Sequence, residues 1–150
     1  MGAFPMAIKL NKLPTNLTSL GAKAFGYAPN VRFTDIPVGI TEILDNTFIS
    51  CKNVAINEFD VTSIGDNAFN MENDIDSNSP QYSVDAIYLN SKVGWLGDNS
   101  FKCYGNPDLL KVYVANESLF DALSNESSNI SRCFGNNTGR IVIDRWDPTS

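Results

Sequence analysis

The stretch Val61-Thr-Ser-Ile-Gly-Asp-Asn-Ala-Phe69 returns, altered but legible, at Leu17 to Phe25, Ile40 to Phe48 and Val93 to Phe101. In each copy an apolar residue is followed three positions later by Leu or Ile, and eight positions later by Phe. The sets are Leu17/Leu20/Phe25, Ile40/Ile43/Phe48, Val61/Ile64/Phe69 and Val93/Leu96/Phe101. One repeat of this size cannot bury its own apolar face. Stacked copies share a continuous core, so the spacing implies an array of similar units.

The rest of the chain follows that frame. Successive motif phenylalanines are 23, 21 and 32 residues apart. Short apolar-x-apolar triplets accompany the motif: Ile8-Lys-Leu10, Val31-Arg-Phe33, Val54-Ala-Ile56, Ile87-Tyr-Leu89, Val112-Tyr-Val114 and Ile141-Val-Ile143. Alternation over three residues is a strand signal only because it recurs in register. The long third interval carries an insertion from Asn70 to Ala86, rich in Asn, Asp and Ser, and a smaller one contains Gly105-Asn-Pro107. Both are expected as surface loops, where added length costs little closure entropy. From Asn116 the pattern changes. Ser118-Leu-Phe-Asp-Ala-Leu123 reads as a helical turn or two with Ser118 and Asp121 as a capping pair, followed by Ser/Asn-rich loops to Cys133-Phe134. The division is one solenoid domain, with repeats over 8–115 and a C-terminal cap over 116–150, because the open end of a stack must be covered.

Composition removes several classes of function. The formal net charge of −6 argues against a protein that tracks nucleic-acid phosphates, which needs a basic stripe. No apolar run approaches the roughly 18 residues of a membrane span, so no membrane insertion is expected. The N-terminal MGAFPMAIKLNKLP lacks the basic start and apolar core of a signal peptide. Histidine is absent, which removes the commonest general base and the usual serine and cysteine triads. The three cysteines, Cys51, Cys103 and Cys133, cannot all pair internally and show no CxxC spacing for zinc. Neither a catalytic constellation nor a cofactor motif stands out, and the chain is read as non-catalytic.

Residues Val61 to Phe69, with Phe48-Ile-Ser-Cys51 and Ile36-Pro37, resemble the pattern I-P-x-x-V-T-x-I-G-x-x-A-F-x-x-C-x-x-L of the BspA-like leucine-rich repeat family. The likeness covers residues 8 to 115 and departs from the pattern at the two insertions and at the Cys missing after Phe25 and Phe69. It implies an α/β solenoid, mostly β. In it a parallel sheet of about six short strands lines one face of a right-handed arc, and loops or short turns lie opposite. It also implies the company of surface and secreted proteins that attach or bind.

Roles follow from position in the repeat. The phenylalanines are expected to stack inside, one ring per rung, with Cys51 and Cys103 as small apolar residues in the same core. Gly21, Gly65 and Gly97, at one repeat position, are expected to supply a positive-φ turn. In each strand triplet the middle residue points outward, giving a column of Lys9, Arg32, Ala55, Tyr88, Tyr113 and Val142. Within it Lys9, Arg32, Tyr88 and Tyr113 are the candidate binding residues. The two tyrosines should lie side by side on the open sheet, and the two cations favour an acidic or glycan partner. Asp74, Asp76, Asn78 and Asp85 have the spacing of a calcium loop. Ser79 stands where the turn needs Gly, and Asp85 where the loop ends on Glu, so the segment is read as a solvated acidic insertion without metal. The sequons at Asn16, Asn116, Asn125, Asn129 and Asn136 establish no glycosylation in so Asn-rich a chain. The function expected is binding of a protein or glycan at a surface. The alternative is a structural subunit of a larger assembly such as a virion decoration or fibre, favoured by Met1 without a signal peptide.

Overall fold

The computed structural model describes residues 13–14, 16–26, 33–51, 54–72 and 84–149. Among the described residues six short strands occur, in the order β1 (Glu58–Phe59), β2 (Ser63–Ile64), β3 (Ala86–Leu89), β4 (Trp95–Leu96), β5 (Leu110–Val114) and β6 (Ile141–Arg145). Two helices, α1 (Glu117–Asn125) and α2 (Ser127–Phe134), and a 3-10 turn at Thr138–Arg140 lie between β5 and β6. All strand pairings are parallel. The strands form two sheets: a four-stranded one in the order β1-β3-β5-β6, and a two-stranded one of β2 and β4. A single sheet of about six was expected, so the side opposite the main sheet is more regular than loops alone. The second apolar residue of each motif is what builds it. Ile64 pairs with Leu96 and bridges to Ile43, and all three are buried.

The motif phenylalanines form the expected column, one ring longer than the motif indicates. Phe25 stacks on Phe48 (5.5 Å, 7°), Phe48 on Phe69 (5.2 Å, 20°) and Phe69 on Phe101 (5.4 Å, 5°). Phe134, from α2, closes the column on Phe101 (5.6 Å, 15°). Phe33 and Phe59 meet the column near right angles, so each of the four motif rings also has a T-shaped partner. Such ring pairs add about 0.5–1.5 kcal/mol each beyond the area they bury.

Backbone bonds between rungs follow the same repeat. Phe25 N–H donates to Thr47 O, Phe48 N–H to Ala68 O, and Phe69 N–H to Ser100 O, at 2.7–2.9 Å. The last of these ladder donors meets a helix. Asn99 and Phe101 N–H donate to Arg132 and Cys133 O, carbonyls in the final turn of α2 that have no partner within their own helix. Each side thus supplies what the other lacks. The Ser/Asn-rich composition of this stretch reads as loop. Ile130, Cys133 and Phe134, at helical spacing, are the signal that reading misses. For α1 the cap is Asn116, whose side chain accepts from Leu119 N–H at 2.9 Å, and not Ser118.

Two local expectations are corrected. The position with positive φ is not the motif glycine. It lies two residues before each Phe, at Lys23, Asn46, Asn67 and Asn99 (φ 56–63°). Asn tolerates that region best among residues with a side chain, which explains its recurrence. Gly65 and Gly97 answer a different need. A Cβ on Gly65 would sit 2.6 Å from Asp45 N, and one on Gly97 2.6 Å from Asp66 N, so glycine lets neighbouring rungs approach. Cys51 is buried as expected, but Cys103 is exposed and has φ 61°. Tyr104 takes the core position three residues after Phe101, and its hydroxyl donates to Ile56 O at 2.6 Å. The smaller insertion is held from both sides, since Arg140, buried, donates through Nη1 to Tyr104 O and Asn106 O.

Candidate functional site

Along β5 the residues alternate as the triplets predict: Leu110, Val112 and Val114 are buried, while Lys111 and Tyr113 face outward. Strand β3 does the same with Ile87 and Leu89 inside and Tyr88 outside. The core side is filled by aliphatic residues, which leaves the tyrosines on the open face. Tyr88 and Tyr113 are in register, and their rings stack at 4.8 Å and 9°. The side-by-side placement expected of them is therefore present.

The rest of the outward row differs. Glu58, not Ala55, stands opposite Tyr88, and Asp144, not Val142, stands opposite Tyr113. Val142 is opposite Lys111, and Ala55 N–H bonds to Phe33 O outside the named strands. The cause on one side is Phe59. It is fully buried beside Leu89, and this places Asn57 and Glu58 as exposed residues between the inward Ile56 and Phe59. At the other end, Ile141 pairs with Leu110, a slip of two residues that keeps the same face inward. Lys9 and Arg32 lie outside the described residues. The described row thus runs Glu58, Tyr88, Tyr113, Asp144, with carboxylates at both ends.

Trp146, just beyond β6, completes an aromatic cluster that sequence reading missed. Its backbone N–H donates to Val114 O, and its ring meets that of Tyr88 at 5.3 Å and 66°. Beside it a groove of about 590 Å³ is lined by Ser91, Val114, Glu117, Arg145 and Trp146. Arg145 is held there by Glu117 (2.7 Å) and by the Phe120 ring (4.4 Å to the guanidinium carbon), fixing α1 to the edge strand. A second groove, about 550 Å³, crosses β3 on the other side of Tyr88 and is lined by Thr34, Asp35, Ala55, Asp85 and Ala86.

Elsewhere, Asp45, Asp66 and Asp98 occupy one repeat position. The Asp45 carboxylate accepts Asp66 N–H, and that of Asp66 accepts Asp98 N–H, each at 2.8 Å. Arg132 ends the series on Asp98 at 3.0 Å and lies over the Trp95 ring at 4.7 Å. Among the described residues no group of three or more His, Cys, Asp or Glu side chains is placed to hold a metal ion. Asp74, Asp76 and Asn78 lie outside the described residues. Asp85 is exposed and accepts from the Asn106 side-chain amide at 2.9 Å. No described helix is long and apolar enough to cross a membrane.

No curated protein and no solved structure matched the chain. A family model, that of the BspA type leucine-rich repeat region, matches residues 3–114 in six copies. That span includes all four motif copies and strands β1 to β5, and the chain belongs to the BspA-type leucine-rich repeat family.

Proposed function

We propose that the chain is a non-catalytic binding module that engages a protein partner through the open face of its four-stranded sheet. The observation that carries this is the Tyr88–Tyr113 stack on the outward row, joined by Trp146. Aromatic rings held on a rigid sheet, without core duty, are low-entropy anchors of the kind that dominate interfaces. A protein is favoured over a glycan by ring orientation. Tyr88 gives one face to Tyr113 and is met by Trp146, so it does not offer a free flat face for a sugar ring. In this reading the stack is an arc-shaped solenoid whose far end is covered by residues 116–150.

A place in a larger assembly is the second reading. The terminal position of β6 in the sheet order favours it, because no described strand pairs with its outer side. The sheet surface is tested by Tyr88→Ala and Tyr113→Ala. Both variants should keep the far-UV spectrum and melting temperature while losing capture on protein arrays probed with the intact chain. If both bind normally, and a change within residues 73–83 abolishes binding, the working surface is the inserted segment and not the sheet.

A further inference from the structure

We propose that the partner segment docking on this face is basic, and that the groove beside Tyr88 receives one of its arginine or lysine side chains. The proposal rests on the sheet face being the working surface and adds the chemistry of what binds there. The groove has a small-residue floor: Ala55 and Ala86 line it where larger side chains would fill it. Two exposed carboxylates, Asp35 and Asp85, line the same groove, with Tyr88 at its side. Each carboxylate has one oxygen in a local bond, to the Thr34 hydroxyl and the Asn106 amide respectively. Carboxylates can accept at both oxygens, so capacity is left for a cation.

Further carboxylates lie close by. Beside this groove lies a smaller one, about 250 Å³, lined in part by Asp35, Glu58 and Asp60. Neither groove is lined by Lys or Arg among the described residues. Of the described cations on the four-stranded sheet, Lys111 stands opposite Ala86 and Arg145, at the end of β6, is paired with Glu117, while the outward row itself begins and ends in acid. An alkyl stem over the alanine floor, with its charged head between the Asp35 and Asp85 carboxylates, satisfies these surfaces. Carboxylates lining the groove concentrate a basic segment there and raise its association rate.

The test uses the full chain and a fluorescein-labelled hexa-arginine peptide, with hexa-lysine and hexa-glutamate peptides as comparators. Anisotropy titration should show saturable binding of both basic peptides and none of the acidic one. Asp35→Asn with Asp85→Asn, which keeps the far-UV spectrum, should raise Kd about tenfold or more, equal to about 1.4 kcal/mol. Asp45→Asn with Asp66→Asn removes the same charge from the turns after the second sheet and should leave Kd within about twofold. Amide shifts caused by the arginine peptide should centre on Ala55, Ala86 and Tyr88. Equal weakening by the two double variants would mean diffuse attraction to an acidic protein and would overturn the proposal. Absence of saturable binding would overturn it too. If the peptides fail while Tyr88→Ala still abolishes capture on the protein arrays, the sheet surface stands and its basic specificity falls. Peptide shifts confined to other surfaces, with array capture unaffected by Tyr88→Ala, would remove both.

Discussion

The carboxylate of Asp66 accepts the backbone N–H of Asp98, 32 residues later in the chain, at 2.8 Å. Asp45 does the same for Asp66, so one repeat position passes a backbone bond from rung to rung on its side chains. This contact depends on the glycine before it, because a Cβ on Gly65 would meet Asp45 Oδ1 as well as the backbone. Gly65→Ala should therefore destabilise by about 1–3 kcal/mol, as overpacking does. Asp66→Asn, which keeps an acceptor, should change stability by under about 0.5 kcal/mol. Urea denaturation of both variants checks the order. A Gly65→Ala protein as stable as the parent would mean that the rungs have slack.

Phe48 is fully buried between Phe25 and Phe69, with Phe33 against its edge. Phe48→Ala should cost on the order of 3–5 kcal/mol. Phe134, at the end of the column, has Phe101 as its stacked neighbour, and Phe134→Ala should cost less. Chemical denaturation distinguishes a shared column from independent rings. In a shared column the Phe48 variant lowers the transition as one cooperative step.

Tyr104→Phe removes a buried hydroxyl that reaches Ile56 O, 48 residues back in the chain. The ring contacts with Phe69 and Phe101 remain, so the variant isolates the hydrogen bond. The expected loss is about 1–3 kcal/mol, the cost of leaving a buried acceptor without its donor. A loss below about 0.5 kcal/mol would show that Ile56 O finds another donor.

Burial pushes the Cys133 thiol up to about 11, with Arg132 pulling the other way and Asp98 adding to the rise. Cys103 is also raised, first by partial burial, but is exposed at the surface. In the native protein a disulfide reagent at pH 8 should label Cys103 readily, and Cys51 and Cys133 only on unfolding. The linkage has a definite sign. The folded state holds the Cys133 proton more tightly than the unfolded chain, so this contribution is complete below the ordinary thiol value near 9. It is lost as pH rises from there through about 11. Stability measured across that window should fall less steeply in Cys133→Ala than in the parent.

What the sequence by itself determined was the apolar frame of the repeat. Three apolar positions at fixed spacing dictate one Phe per rung, and the ring column forms because rungs in parallel register put identical positions above one another. Alternation in Ile87-Tyr-Leu89 and Val112-Tyr-Val114 placed the tyrosines on the open face, since strand geometry leaves them no other side. Tertiary structure decided what depends on fit between rungs. It set Glu58 beside Tyr88 because buried Phe59 outweighs the local triplet pattern. It made glycine a close-approach residue and gave the positive φ to Asn67 and its equivalents, a choice invisible in a motif where both recur. It turned Ser127–Phe134 into a helix whose final carbonyls accept the last rung's amides, and it brought Trp146 back over the sheet to Tyr88. Each of these is settled by packing across tens of residues, where a one-residue offset in the chain changes which side chains meet.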